Sequence, residues 1–194
     1  MSLKERVYSV LLVSSSENFN KSLTELLPES NYYPLHTVSN ISSAKRAFLE
    51  RSFDFIIINA PLPDDMGVRF AIDVCKENNS IALLFVKNDI YPDTYEKVVR
   101  HGVFTLSKPV TKQMISQSLD WMCATRERLR KLEVKTSSIE DKMKEIRLVN
   151  RAKWILIDVL KMSEADAHRY IEKQAMDSCI TRREVSENII KTYT

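Results

Sequence analysis

Three short, uninterrupted apolar runs rich in β-branched residues recur in the first hundred positions: Val7 to Val13 (VYSVLLV), Phe53 to Ile58 (FDFIII) and Ile81 to Val86 (IALLFV). Runs of this length with little polar alternation are the pattern of strands covered on both faces. Between them apolar residues return at helical spacing: Phe19, Leu23, Leu26 and Leu27, then Ala44, Ala47, Phe48 and Leu49, then Phe70, Ile72, Val74 and Cys75. A weaker strand fits Pro34 to Val38, and Val103 to Leu106 (VFTL) follows a helix from about Asp93 to Arg100. Five strands alternating with helices predict an α/β fold built on a doubly wound, five-stranded parallel sheet. Asn40 and Thr111 stand where N-caps are needed, each able to accept from an otherwise orphan amide.

From Thr111 onward the strand pattern stops and a long stretch free of glycine and proline begins. With Met122 at heptad position a, the a positions are Met122, Leu129, Thr136, Met143 and Asn150, and the d positions are Thr125, Leu132, Ile139, Ile146 and Lys153. Leu129, Leu132, Ile139, Met143 and Ile146 form an apolar seam between charged flanks, which predicts a coiled coil. Thr136 weakens its centre, and the Ser137–Ser138 pair is a candidate break. A single long helix packed on its own sheet domain is the alternative. The last 45 residues predict short helices: one ending near Met162, a second opened by Ser163 and a third from about Thr181. Thr181 with Glu184 has capping-box spacing, and Ser163 with Asp166 is a weaker version of it. Trp154, Ile157 and Leu160, then Ala167, Ile171 and Ala175, then Val185, Ile189 and Ile190 are the expected core of a compact three-helix cluster. So small a core is expected to lean on the helix before it.

Composition narrows the function. Gly67 and Gly102 are the only glycines among 194 residues, which argues against a phosphate-cradling Gly-rich loop and hence against a nucleotide-binding enzyme. Cys75, Cys123 and Cys179 are scattered and form no CxxC pair, so they read as small buried hydrophobes of a reducing compartment. His36, His101 and His168 lack metal-ligand spacing. No combination of nucleophile, base and oxyanion donors is visible, so no enzyme, catalytic residue, metal or cofactor is expected. No run approaches the roughly 20 apolar residues of a membrane span, and Met1 to Tyr8 lacks the apolar centre of a signal peptide, so the expected location is cytoplasmic, away from membranes. Residues 1–125 hold 13 Lys/Arg against 14 Asp/Glu, whereas residues 126–194 hold 16 against 12. The basic end is compatible with a nucleic-acid partner, although an excess this modest is more often a solvated helical surface. No recognition-helix motif argues for DNA.

The strand-and-loop FDFIIINAPLPDDMG, with Leu62, Pro63 and Gly67 in its loop and Ser107, Lys108 and Pro109 in the last one, resembles the response-regulator receiver family, a CheY/flavodoxin-like fold. The resemblance covers residues 7 to about 124. It aligns Asn59 with the family's phosphate-accepting aspartate, Ser14 and Ser15 with its acidic metal-binding pair, and Lys87 or its neighbour with its switch Ser/Thr, and it retains Lys108. A neutral amide has no anionic oxygen to attack phosphorus, and two hydroxyls do not replace two carboxylates around Mg²⁺. The resemblance therefore implies a pseudo-receiver in which Asn59 is a non-functional phosphoacceptor equivalent. Asp64, Asp65, Lys87 and Lys108 leave two readings open at the carboxyl edge of the sheet. One is a ligand or anion site; the other is a solvated turn with Lys108 bonded to a carbonyl or to Glu17.

Residues 145–194 resemble the ANTAR domain, an RNA-binding antitermination module. Arg147, Ala152, Lys153 and Leu156 follow its first helix, and Ser163, Glu164, Ala167, Ala175 and Met176 its second. Trp154 departs where that family has glycine, and Ser186 where alanine is common. The expected organisation is thus a receiver-like domain (1–124), a helical linker or coiled coil (112–146) and a three-helix ANTAR-like domain (145–194). The resemblance implies a dimer, joined by the coiled coil, that binds hairpins in mRNA leaders and prevents a terminator from forming. Arg147, Arg151, Lys153, Lys173, Arg182 and Arg183 are the candidate RNA contacts, each with a surface salt bridge as its alternative role. Asn150, at an a position, is a candidate for fixing register. A regulatory protein or ligand acting through the pseudo-receiver is one expected mode of control, and constitutive activity set by concentration is the other. A protein-binding adaptor that uses no RNA is the competing function.

Overall fold

In a computed structural model that describes residues 6–77 and 80–193, the chain divides into two compact units, Met1–Arg130 and Lys131–Thr194. The residues before Arg6, used above in the signal-peptide argument, lie outside the described part. Among the described residues no helix is long and apolar enough to cross a membrane.

The first unit is a five-stranded sheet of β1 (Tyr8–Val13), β2 (Tyr32–Val38), β3 (Phe55–Asn59), β4 (Ile81–Lys87) and β5 (Phe104–Lys108). Its order is β2-β1-β3-β4-β5, and every pair is parallel. This is the expected doubly wound sheet. The helices are α1 (Glu17–Thr24), α2 (Ile41–Glu50), α3 (Val68–Glu77), α4 (Tyr91–Val98) and the start of α5 (Lys112–Leu160). Strand residues alternate between the two faces, so β3 serves both layers. Ile56 and Ile58 pack with Ile41, Ala44, Phe48, Phe70 and Val74 of α2 and α3, whereas Phe55 and Ile57 pack with Leu23 of α1 and Ile115, Leu119 and Met122 of α5. Every residue of β3 is buried, as its unbroken apolar run requires.

Asn40 and Thr111 act as the expected caps, accepting from the amides of Ser43 at 2.8 Å and Met114 at 3.2 Å. The N-terminus of α2 has a second cap, which corrects the reading of Asp64 as a solvated turn. Its carboxylate accepts from the amides of Ile41 and Ser42 and from the Ser42 hydroxyl, all at 2.9 Å. The backbone bonds hold its pKa below the usual carboxylate value, since the charged form satisfies orphan helix amides. Asp65 turns inward on its own loop and accepts from Gly67 N at 2.6 Å. Gly67 has φ +73°, and a Cβ there would stand 2.7 Å from Ile58 Cγ2, so both backbone and space demand glycine.

Three further expectations are corrected. Helix α5 runs without interruption through Ser137 and Ser138, so that pair is no break. Met122 is fully buried in the sheet unit and Leu129 packs against the same cluster, so the first two a positions belong to that core and not to a seam. The cysteines are less enclosed than expected: Cys179 is exposed, and Cys75 and Cys123 are only partly buried.

The second unit comprises the remainder of α5 with α6 (Glu164–Asp177) and α7 (Arg182–Tyr193). Its core is Ala152, Leu156, Ala167, Ile171, Ala175, Val185 and Ile189. Ala152 and Leu156 replace the expected Trp154 and Leu160, which are exposed. Val149, Ile155 and Ile157 of α5 pack around Ala152 and Leu156 at the edge of the core. Helix α5 ends at Leu160; Lys161, just past it, has φ +54°, and the Met162 amide reaches back to the Leu156 carbonyl at 3.5 Å. Ser163 then caps α6 by accepting from Asp166 N at 3.1 Å. Thr181 and Glu184 form the expected reciprocal box, with bonds of 2.8 and 3.2 Å.

Candidate functional site

Two regions collect the residues that the sequence singled out. The first is the carboxyl edge of the sheet, beside the point where strand order reverses between β1 and β3 and where ligands bind in folds of this architecture. Asn59 ends β3 and is buried. Its Nδ2 donates to Ser14 Oγ at 3.1 Å, and its Oδ1 accepts from Lys108 Nζ at 2.9 Å. Lys108 also donates to the Ala60 carbonyl. Ser14 Oγ accepts a further bond from Ser16 N at 3.2 Å. Burial, and secondarily the charge of Lys87, push the Lys108 pKa down.

Lys108 is therefore engaged with the Ala60 carbonyl and the Asn59 amide, in keeping with the reading in which it bonds a nearby carbonyl. Lys87 is exposed at the end of β4. Among the described residues no group of three or more His, Cys, Asp or Glu side chains is arranged to hold a metal ion. The edge presents an amide, hydroxyls and an ammonium, with no carboxylate at residues 14, 15 or 59.

The opposite end of β3 carries a cluster that sequence reasoning missed. Asp54 Oδ1 accepts from Arg126 Nε at 2.9 Å and Arg130 Nη2 at 3.0 Å, while its Oδ2 accepts from the Ser9 amide at 3.0 Å and hydroxyl at 3.1 Å. Burial pushes the Asp54 pKa up, but the bonds from Ser9 and Arg126 outweigh it and hold the carboxyl below its ordinary value. The i, i+4 spacing of Arg126 and Arg130 was the available signal; it gave no indication that both point at one carboxylate 72 and 76 positions away.

The second region is the polar surface of the three-helix unit, where the candidate RNA contacts separate into two groups. Lys153 is bonded to Glu164 at 3.1 Å, and its side chain is only 16% exposed. Arg182 reaches Glu145 at 3.2 Å and Glu172 at 4.0 Å. Arg183 pairs with Glu187 at 2.9 Å, and that bond raises its pKa. By contrast, Arg147, Arg151 and Lys173 are exposed and make no ion pair among the described residues. Arg169, one turn before Lys173 on the side of α6 away from Ala167 and Ile171, is exposed and unpaired in the same way. Sequence reasoning passed over it, although its i, i+4 spacing to Lys173 was legible. Lys142, Lys153, His168 and Arg182 line a groove of about 400 Å³ whose apolar side is Ile146 and Val149. Asn150 is exposed and lines the same groove. Leu132, Ile139, Met143 and Ile146, the later positions of the heptad seam, are all about half exposed.

The two units fall into recognisable classes. Residues 138–190 match the family model of the ANTAR domain, and the sheet unit has the receiver (CheY-like) fold. A signal receiver domain of an HD domain-containing protein from Pseudomonas fluorescens Pf-5 superposes with a TM-score of 0.57 at 23% identity, covering 68% of this chain and 96% of that one. A CheY-like response regulator receiver domain from Methylobacillus flagellatus gives a TM-score of 0.51 at 19% identity, covering 60% and 98%. The chain thus joins a receiver-type fold to a C-terminal ANTAR domain. Over 185 residues the chain is also 23% identical to the transcriptional regulatory protein PdtaR of Mycobacterium tuberculosis, covering 94% of this chain and 89% of that protein.

Proposed function

We propose that this protein is a cytoplasmic, non-enzymatic regulator that binds hairpins in nascent mRNA through its ANTAR domain and so prevents transcription termination. The carrying observation is the pair of exposed arginines, Arg147 and Arg151, which share one face of α5 inside the ANTAR-matching stretch and have no carboxylate partner among the described residues. Unpaired guanidiniums are free to take phosphate oxygens, whereas Lys153, Arg182 and Arg183 must first give up an internal bond. Lys173, with Arg169, adds free positive charge on α6, and Lys153, Arg182 and Arg183 serve as secondary contacts. RNA of this kind is read chiefly in its loops, where bases are unstacked.

The active species in this reading is a homodimer formed along Leu132, Ile139, Met143 and Ile146, whose half-exposed apolar side chains recur at heptad spacing. Two linked domains then engage two hairpins, and avidity raises affinity without new contacts. Control does not run through aspartyl phosphorylation. At the position of the phosphoacceptor stands an amide whose two ends are bonded to Ser14 and Lys108, and no carboxylate at residues 14 or 15 is present to hold Mg²⁺. A regulatory protein or ligand at the receiver-type unit, or the protein's own concentration, takes that role.

A mobility shift against a double hairpin overlapping a terminator, with a scrambled-loop control and at two salt concentrations, tests the function. Loop-dependent binding that weakens with salt is expected. Equal retention of both RNAs, or of neither, overturns the reading in favour of a protein-binding adaptor.

A further inference from the structure

The largest exposed aromatic surface of the three-helix unit is Trp154, 71% exposed. It contributes nothing to the core of that unit, which α5 supplies from its other side through Ala152 and Leu156. Its position is defined by a stripe: Arg147, Arg151 and Trp154 succeed one another at spacings of four and three, so all three share a face of the helix. Arg151, Trp154 and Tyr193 of α7 line one shallow surface depression together with Lys161 and Asp158, which pair with each other at 3.9 Å. Tyr193 is 42% exposed. The depression thus combines two aromatic rings with one cation that Asp158 offsets, Lys161, and one, Arg151, that has no ion-pair partner among the described residues.

Resting on the RNA-binding reading above, we propose that Trp154 is a stacking platform for an unpaired base of the RNA loop, with Arg147 and Arg151 holding the phosphates on either side of that nucleotide. An indole face offers stacking to any base, and cations beside it supply the charge complementarity that an RNA backbone needs. A second copy of this chain is the poorer occupant. The seam turns polar before it reaches this turn of α5, because the a and d positions there are Asn150 and Lys153, and Trp154 falls outside that register. The next a position, Ile157, packs instead against the unit's own core.

This assigns to Trp154 what the ANTAR resemblance left open. A glycine at this position has no side chain to stack on a base, whereas the bulk found here points away from the helix contacts and leaves the packing of α5 on α6 and α7 undisturbed. The platform adds an affinity for unpaired bases that is largely indifferent to their identity, while specificity is left to hydrogen-bonding groups elsewhere on the surface.

The test uses the full chain. Trp121 and Trp154 are its two tryptophans, so Trp121→Phe leaves Trp154 as the sole fluorescent reporter. Quenching of its emission by a hairpin RNA, and much weaker quenching by the same hairpin with abasic loop positions, is expected. Trp154→Ala should lower hairpin affinity by about tenfold or more, and Trp154→Phe should return it to within about threefold of the parent. Both variants should sediment as the parent does. If the parent binds the hairpin and Trp154→Ala binds equally well, the platform is wrong while the RNA-binding reading stands. If Trp154→Ala shifts the protein to a smaller sedimenting species, the occupant is a second copy and the platform is again wrong. Failure of the parent to bind any hairpin removes the RNA-binding reading and the platform with it.

Discussion

The two units treat their polar groups differently. In the receiver-type unit the polar side chains at the ends of β3 are satisfied from within: Asn59 lies between Ser14 and Lys108 at one end, and Asp54 takes four bonds from Ser9, Arg126 and Arg130 at the other. In the ANTAR domain Lys153, Arg182 and Arg183 are paired too, but Arg147, Arg151, Arg169 and Lys173 make no ion pair among the described residues and a tryptophan is left in solvent. A group whose bonds are already made must lose them before it binds anything, so an internally satisfied site contributes structure, and an unsatisfied exposed one contributes recognition. In the proposed reading, the RNA is met by the second unit.

The cores differ as well, and the largest expected effect follows from that. Seven buried side chains, three of them alanines, form the inner core of the ANTAR unit. Leu156→Ala should cost about 2–5 kcal/mol. A core this small has little surplus, so the variant should lose cooperative unfolding of that unit and RNA binding together, while hydrogen exchange in β1, β3 and β4 stays slow.

Next in size is Asp54→Asn, which removes the carboxylate shared by Arg126 and Arg130, although Arg130 keeps Glu127 at 3.1 Å, and should cost about 2 kcal/mol in urea unfolding. The depressed pKa of Asp54 fixes the sign of its pH dependence. Its contribution is fully present above the ordinary carboxylate value and is lost as pH falls through the lower, folded-state pKa. The gap between parent and Asp54→Asn should therefore narrow on acidification. A constant gap would show that the charge on Asp54 is not what stabilises the cluster.

The recognition side of the comparison is sharpened by charge removal at fixed stability. Arg147→Ala combined with Arg151→Ala should weaken hairpin binding by about tenfold or more and reduce the slope of log affinity against log salt by about two. Arg183→Ala, which removes a cation already paired with Glu187, should do markedly less in the same titration. Equal effects would erase the distinction between paired and unpaired cations. The smallest effect expected is that of Thr181→Ala, which deletes half of the capping box at α7 and should cost about 1 kcal/mol, read as a lowered unfolding midpoint of the ANTAR unit with RNA contacts unchanged.

The reach of the sequence can be judged from particular elements. The five strands, the parallel order and the caps at Asn40, Thr111, Ser163 and Thr181 were all legible, because each depends on local periodicity or on a side chain bonding a backbone amide three residues away. The role of Asp64 was not, since it caps a helix that begins 23 positions earlier in the chain. In the core of the ANTAR unit, Ala167, Ile171, Ala175, Val185 and Ile189 were legible, but the contribution of α5 was not: Trp154 and Leu160 fit an apolar pattern as well as Ala152 and Leu156 do, and which side of α5 is covered depends on where α6 and α7 pack.

By itself the sequence determined the α/β sheet ahead of a helical C-terminal part, the amide at position 59, the absence of an acidic pair at positions 14 and 15, and the family features of the basic end, all of which are statements about which residues occur and at what spacing. Only the tertiary structure decided which of the arginines and lysines are spoken for. Pairing between Lys153 and Glu164, Arg182 and Glu145, or Asp54 and Arg126 depends on side chains from different elements arriving within about 3 Å of one another. Charge counts along a chain carry no information about that distance, and it is the distance that separates a structural cation from one available to a partner.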